Sequence, residues 1–594
     1  MNKALEANLT IDSLIDFSDP RDSAAPRLRC AFAAPRQVLE AHAPGEVRAV
    51  LDAVQAAAAQ GAWCAGGLRY EAASAFDPAL RTQAPDGPLA WFAVHDAPAP
   101  WPDALSAGAH ALHWESEPGR ARFDAVLAAI HRDIAEGAYY QVNHTAQLSG
   151  RLEGSALALF AALQRAQPGG YAACIGMNGE QVLSVSPELF FDWHATPDGS
   201  GDILTRPMKG TAPRGATPAE DAAQAAQLRA SPKERAENVM IVDLLRNDLS
   251  RIAEPHSVHA PRLFHAEPLP AVWQMTSDVQ ARTRRGTRLS GVFAALFPCG
   301  SVTGAPKARA MQAIAGFEDG PRGFYCGAVG LVRPDGAGGI HATFNVPIRT
   351  VVLRGAQASC GIGSGITADA TADAEWNEWR HKRAFLERAS MPFDILETLR
   401  LDGGRFRHLD EHLARMRQAA VHFHHPWDGA AVQQCLHDLA AAHAQGAWRV
   451  RLLQGAAGAP RAEAFALQPT PEPVVLRLAD RPLAEAHGEF VRHKTTRRAH
   501  YAAFAPAVPG VFDTVLWNAA GEITEGTFGN IALLLDGRWV TPPLACGLLP
   551  GVGRAVALRE GRVHEAVVRL EDLPRVQGWA FINSLRGWLA AELA

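Results

Sequence analysis

A helical pattern that runs out near Ala389, followed at once by a proline-opened strand, constrains the fold of this chain more than any other feature. "DAEWNEWRHKRAFLERA" has the periodicity of one helix, and "SMPFDILETLRLDGGRFRHLDEHLARMRQAA" then starts a fresh strand, turn and helix series, so a boundary is expected at about 390. Upstream, "RFDAVLAAIHRDIAEG" carries the spacing of an amphipathic helix. "HATFNVPIRTVVLR", after the turn "RPDGAGG", alternates like one antiparallel strand. The expected class is α+β: residues 1–389, with 1–117 as a small N-terminal part and 118–389 as the core, and then a second α/β unit over 390–594. At 594 residues the chain is long enough for roughly three to four domain-sized pieces. The hairpins "LRLDGGRFR" and "LLLDGRWV" and the glycine loop "CGLLPGVGR" all fall in the second unit.

Composition excludes several classes of function. A formal charge of -5 provides no basic field for nucleic acid. The eight cysteines are scattered without a C-x-x-C pair, so neither a disulfide framework nor a zinc site is expected. The N-terminus lacks a signal-peptide core, and no stretch of about 18 uncharged apolar residues occurs. A soluble cytoplasmic enzyme acting on small molecules is expected, with no membrane or nucleic-acid partner.

Six of the 57 basic residues are lysine: Lys3, Lys209, Lys233, Lys307, Lys382 and Lys494. Arginine serves for solvated charge, but only lysine can be deprotonated by burial and act as a nucleophile. Each retained lysine is therefore a candidate, with Lys3 and Lys233 read as surface residues. Lys209 stands in "RPMKGTAPRG" between a proline and a Gly-Thr.

In "SPKERAENVMIVDLLRNDLSRIA", Glu234 and Glu237 share a helix face beside the apolar stripe of Met240, Ile241, Leu244, Leu245 and Leu249. Glu375, Glu378 and Lys382 repeat that geometry in a later helix. Two carboxylate pairs suit Mg²⁺, which takes hard oxygen ligands, and two ordinary solvated helix faces explain them equally well on spacing alone.

"SVSPELFF", "RPMKGTAPRG", "ERAENVMIVDLLRNDLSR", "PCGSVTGAPKARAMQAI", "FYCGAVGL", "FNVPIRTV" and "CGIGSGITADATADAEWNEWRHK" occur in the order found in the chorismate-utilising enzymes, and residues 120–388 resemble that family. The resemblance implies a two-sheet β core with surrounding helices. It implies Mg²⁺ on Glu237 and Glu378 with Glu234 and Glu375 beside them, and chorismate held by Tyr325, Arg349, Gly363, Gly365, Lys382, Gln274 and Thr303. Within the family, anthranilate synthases resemble "P-I-A-G-T" at the Lys209 position, whereas many aminodeoxychorismate synthases carry lysine. Lys209 is then the covalent nucleophile and Glu188, in "SPE", the general acid. Gln274 stands where anthranilate synthases tend to carry histidine.

In the second unit, "FVRHKTTRRAHY", "GEITEGTFGN" and "CGLLPGVGR" supply a lysine, a glutamate and a glycine loop opening a helix, the parts a pyridoxal phosphate site needs. Their order resembles the fold-type IV pyridoxal-phosphate enzymes, which include aminotransferases and aminodeoxychorismate lyase. The resemblance implies Lys494 as the lysine that carries the cofactor, Glu525 as the partner of the pyridine nitrogen, and Arg407, Val552 and Gly553 as phosphate ligands. Asn530 supports the site, and Ser584 and Arg586 of "NSLRGW" lie on the substrate side. The family's usual opening strand and "GDG"-like loop are missing before "PFDILETL".

Together the two resemblances imply amination of chorismate at C4, then loss of pyruvate to give 4-aminobenzoate for folate. Ammonia would come free or from a separate glutamine amidotransferase subunit, because no cysteine has a glutaminase-like context. A homodimer through the second unit is implied only by its relatives. The alternatives are an anthranilate-synthase-like first part, an aminotransferase activity in the second, and a non-catalytic chorismate binder.

Overall fold

Strands such as Ala90–His95, "AWFAVH", are buried at every position, although an antiparallel strand usually leaves one face in water. The computed structural model shows why: in the unit Met1–Met391, both faces of each sheet are covered. It describes residues 11–594 apart from 103–104, 106–107, 117, 178, 216–217, 270–271 and 507, so Lys3 lies outside the described residues.

One sheet of this unit has nine strands and the other ten, and all their pairings are antiparallel. The period-2 alternation of strands sorts the side chains into layers. Ile15, Phe17, Ala173 and Ile175 of the first sheet meet Trp91, Ala93, Val329 and Leu331 of the second between the sheets. Their neighbours Leu14, Ala172 and Cys174 face the helices Arg120–Ala135, Ala156–Ala166 and Ala372–Ser390. On the other outer face, Phe92, Trp193 and Phe344 face the helices Pro44–Ala59, Pro232–Ser250 and Leu289–Leu296. The α+β class holds.

Two sequence expectations are corrected. The described residues of 1–117 do not fold apart: Ser13–Phe17 and Leu28–Phe32 enter the nine-stranded sheet, while Gln37–Ala41, Trp63–Leu68 and Ala90–His95 enter the ten-stranded one. Long-range pairing decides this, such as Leu68 opposite Ala328, and no local pattern announces it. "HATFNVPIRTVVLR" is two strands and not one. Ile340–Asn345 lies in the ten-stranded sheet and Thr350–Arg354 in the nine-stranded sheet. Between them Pro347 lacks an N–H for any ladder, and Arg349 takes φ 52°, a left-handed conformation rare for a side-chain-bearing residue.

The unit Pro392–Ala594 has a four-stranded sheet, on which the helices Leu409–Phe423 and Gly429–Ala442 pack, and an eight-stranded mixed sheet. Both expected hairpins form: Gly403 and Gly404, at φ 52° and 77°, turn the first, and Asp536 and Gly537, at 49° and 75°, turn the second. No helix among the described residues is long and apolar enough to cross a membrane.

Phe293 packs edge-on against Phe191 and Phe344, with ring centroids 5.2 and 5.1 Å away, and joins the helix Leu289–Leu296 to the ten-stranded sheet. Phe293→Ala is expected to destabilise this unit by about 3–5 kcal/mol, measured by denaturant unfolding.

Candidate active sites

In the first unit, a cleft of about 1150 Å³, open to solvent, gathers residues from both sheets and two helices. The chain crosses between the sheets at Pro187–Glu188 and again at 346–349, and these crossings are stitched together. Ser186 Oγ donates to the Val346 carbonyl at 2.5 Å, Val346 N–H to the Glu188 carbonyl at 3.1 Å, and Val185 N–H to the Arg349 carbonyl at 3.0 Å. Glu188 and Arg349 are thereby fixed on one wall. Lys209, on the strand Met208–Pro213, and Gly361, Gly363 and Gly365, on Gln357–Ile366, complete it.

The glycines are there because other side chains take their space. A Cβ on Gly365 would sit 2.7 Å from Lys209 Nζ, and one on Gly361 would enter the Tyr325 ring. The Gly363 carbonyl accepts from Lys382 Nζ at 3.0 Å, and the same ammonium is 2.6 Å from Glu378.

Desolvation shifts Glu188 and Lys209 in opposite senses. Glu188 is pushed up to about 7, chiefly by desolvation, and Lys209 is held below the usual lysine range by desolvation and then by the charge of Lys382. Each is driven toward its neutral form.

Glu234 and Glu237 on Pro232–Ser250 and Glu375 and Glu378 on Ala372–Ser390 line the same cleft. Ser231 caps the first helix by accepting from the Glu234 N–H. Glu375 is oriented by Ser364 Oγ at 2.6 Å, which in turn accepts from Trp379. Burial raises Glu234, Glu237 and Glu375; it acts on Glu378 too, but Lys382 prevails and holds that carboxyl down. Among the described residues no three of these carboxylates converge within 4.8 Å. Two facing pairs suit an ion that keeps waters and substrate oxygens in its shell, so the donor set fits Mg²⁺.

The group that does converge is Asp192, His194 and His341. Arg333 donates to His341 Nδ1 at 2.7 Å, so His341 Nε2 carries the proton toward Asp192, while Arg21 also pairs with Asp192 at 3.0 Å. Arg21, the His341 ring and the Thr343 hydroxyl already satisfy the acid.

Tyr325, Arg349, Gln274 and Lys382 line the cleft as well. Arg349 bonds Gln167 at 2.7 Å and has no carboxylate partner among the described residues, and desolvation lowers it. Gln274 donates to the Gly210 carbonyl at 2.8 Å and braces the Lys209 strand. Thr303 is corrected: it is fully buried, gives its hydroxyl to the carbonyls of Cys299 and Gly300, and lies outside the lining, which Ser301 occupies instead. Lys233 is exposed, as expected, and stands at the edge of the cleft, whereas Lys307 pairs with Asp248 at 2.8 Å. Sequence reasoning also missed Asn143 and Ser301 in the lining; Ser301 lies inside a quoted motif, and Asn143 carried no signal.

In the second unit a pocket of about 420 Å³ contains Lys494, Glu525, Asn530, Val552, Gly553 and Ser584. Desolvation lowers Lys494 to about 8 and raises Glu525 to about 7. Tyr501 donates to Glu525 at 2.6 Å, as does the Leu549 N–H at 3.2 Å. Asn530 donates to the Leu549 carbonyl at 3.0 Å.

Arg407 is corrected: it pairs with Asp402 at 2.6 Å on the first hairpin, outside the pocket lining. The guanidiniums in the lining are those of Arg415 and Arg498, and Arg415 is the one beside the glycine loop. Buried Glu397 grips it at 2.8 and 2.6 Å, and its Nη1 donates to the Pro550 carbonyl at 3.0 Å, just before the helix Val552–Arg559. Helix N–H groups and an arginine make an anion cradle, and the glycines keep it open. A Cβ on Gly551 would strike the Asn530 amide, and one on Gly553 would lie 2.6 Å from the Asn583 backbone. These residues fit a phosphate-bearing cofactor. Arg586 also lies outside the lining, its Nε 2.9 Å from Thr470 Oγ1.

Glu397→Gln leaves Arg415 without its buried anion and is expected to destabilise the unit by roughly 3–5 kcal/mol, against about 0.5 kcal/mol or less for Arg407→Ala, measured by thermal melting. Glu397 is held well below the ordinary carboxylate range: burial opposes ionisation, but Arg415 and then His412 overcome it. That stability is therefore present above the unfolded glutamate pKa and is lost as pH falls through the depressed folded value.

Residues 95–388 match the family model described as chorismate binding enzyme, and residues 394–593 match that described as amino-transferase class IV. Aminodeoxychorismate synthase component 1 of Klebsiella aerogenes is 38% identical over 294 residues, 50% of this chain and 62% of that protein. Anthranilate synthase component 1 of Streptomyces coelicolor is 36% identical over 275 residues, 46% of this chain and 52% of that protein. The chain thus spans about 62% or less of the length of these relatives. The fold of the first unit is like that of a putative isochorismate synthase from Bacillus anthracis, with TM-score 0.50 and 17% identity, covering 64% of this chain and 95% of the other. A region that matches the chorismate binding enzyme model is thus followed in this chain by one that matches the amino-transferase class IV model.

Proposed function

We propose that the first unit aminates chorismate at C4 and that the second eliminates pyruvate from the resulting 4-amino-4-deoxychorismate, giving 4-aminobenzoate. The observation that carries the reading is a half-buried amine and a buried carboxyl, Lys209 and Glu188, in one cleft and each pushed toward neutrality.

Neutral Lys209 attacks C2 of chorismate while both ring double bonds shift, C1=C2 to C1=C6 and C5=C6 to C4=C5, and the C4 hydroxyl leaves as water, taking its proton from Glu188. Ammonia then adds at C4, both double bonds shift back, and the C2–Nζ bond breaks to release the lysine. Glu237 and Glu378, with Glu234 and Glu375 beside them, would hold Mg²⁺, which neutralises and orients the ring carboxylate. Arg349, with no protein counter-ion, receives a carboxylate. Ammonia is either free or delivered by a separate glutaminase subunit.

In the second unit Lys494 would hold pyridoxal phosphate, with Glu525 at its pyridine nitrogen and Arg415, Val552 and Gly553 at its phosphate. Bound there, the cofactor supplies an electron sink. Lys494, poised near 8, is the base for the C4 proton of the substrate, and Glu525, near 7, supplies a proton to the cofactor ring.

The purified chain with chorismate, Mg²⁺, pyridoxal phosphate and ammonium is expected to yield 4-aminobenzoate and pyruvate, identified by mass. Lys209→Ala is expected to abolish amination at C4; anthranilate as the wild-type product would refute the reading of Lys209. Lys494→Ala is expected to let aminodeoxychorismate accumulate without pyruvate. Amination is expected to pass through a maximum with pH, because raising the pH frees the amine of Lys209 while stripping the proton from Glu188 near 7. Glu188→Gln is expected to slow it roughly 10²–10⁴-fold.

A further inference from the structure

The described lining of the second pocket holds three cations, Arg415, Lys494 and Arg498. Arg415 is committed to Glu397 and the Pro550 carbonyl. Arg498 differs: its Nη2 donates to the Thr527 carbonyl, its guanidinium carbon lies 4.5 Å from the centroid of the Tyr501 ring, and it has no ion pair with a carboxylate among the described residues. It is held at two points, with other N–H groups left for a ligand. Its neighbour Arg497 lies instead over Phe490, at 4.8 Å.

The Thr527 carbonyl that Arg498 grips precedes Phe528, whose ring also lines the pocket and is 39% exposed. Phe512 and Phe581 back that ring at 5.2 and 5.0 Å, and Asp513 ties down the loop by accepting from Thr527 Oγ1 at 2.6 Å. A rigid apolar plate beside an uncompensated guanidinium suits a flat ring bearing a carboxylate.

We propose that Arg498 is the carboxylate-recognising residue of the second unit, taking the ring carboxylate of a cyclic amino acid whose amine faces Lys494 and whose ring lies along Phe528. This rests on the lyase reading above. Arginine fits the task because its planar fork binds a carboxylate through two parallel hydrogen bonds, and stacking on Tyr501 fixes the plane of that fork. The same stack joins recognition to chemistry, since Tyr501 donates to Glu525.

The test uses the full chain loaded with pyridoxal phosphate. Pyruvate release from 4-amino-4-deoxychorismate, and its inhibition by 4-aminobenzoate and by aniline, are measured for the wild type, Arg498→Gln and Arg498→Lys. Arg498→Gln is expected to raise KM and the inhibition constant of 4-aminobenzoate roughly tenfold or more, to leave aniline unchanged, and to keep the cofactor's visible absorbance band. Arg498→Lys is expected to recover part of the loss. An unchanged preference for 4-aminobenzoate over aniline overturns the inference, and so does a raised KM without weaker 4-aminobenzoate binding, which would assign Arg498 to the enolpyruvyl carboxylate. A shifted or lost cofactor band with the preference intact also overturns it, in favour of a cofactor contact. A wild-type holoenzyme that releases no pyruvate defeats the lyase reading itself, a result distinct from any of these.

Discussion

The stitched pair of crossings between the two sheets of the first unit is the constraint on which its chemistry depends. Ser186, Val346, Glu188, Val185 and Arg349 bond one another across strands some 160 residues apart in sequence, so the Glu188 carboxyl and the Arg349 guanidinium share a wall. Pro187 and Pro347, lacking N–H groups, suit places where the chain leaves a ladder, and Arg349 accepts a left-handed backbone there. The same desolvation that raises Glu188 lowers Lys209. One cause moves both groups toward their neutral forms.

The second unit solves a different problem with the same means. Its cradle needs a permanent cation, so Arg415 is locked to Glu397, whose negative charge burial alone would not tolerate. Lys494, in the same pocket, is half-buried, and desolvation lowers its pKa to about 8. An arginine held by a buried acid and a lysine kept close to neutrality within one pocket show how the chain divides work between its two basic residue types.

Residue type and local period made much of this legible. The two glutamate helices, the glycine strand, the two turn-bearing hairpins and the rare lysines stand out because each depends on neighbours a few residues away: i, i+3 spacing, a missing Cβ, a left-handed turn. Lys209, Glu188 and the four glutamates meet in one cleft, and Lys494 and Glu525 in another. What failed has a common origin. Arg407 and Arg415 both sit in "RFRHLDEHLARM", but which one faces the pocket depends on how the helix Leu409–Phe423 packs on its sheet. Thr303 and Ser301 are two residues apart in one loop, and only the fold turns one inward and the other to the cleft.

By itself, then, the sequence determined which side chains were available for chemistry, the order of the elements that carry them, and the turns that end those elements, because such features follow from short-range sterics and spacing. Only the tertiary structure decided that the first 117 residues supply strands to both sheets, that one apparent strand splits between two sheets, and that Arg415 and Ser301 reach the pockets in place of Arg407 and Thr303. Those outcomes are set by pairing partners hundreds of residues away and by the depth at which each side chain leaves water, and neither quantity is written in any local stretch of the chain.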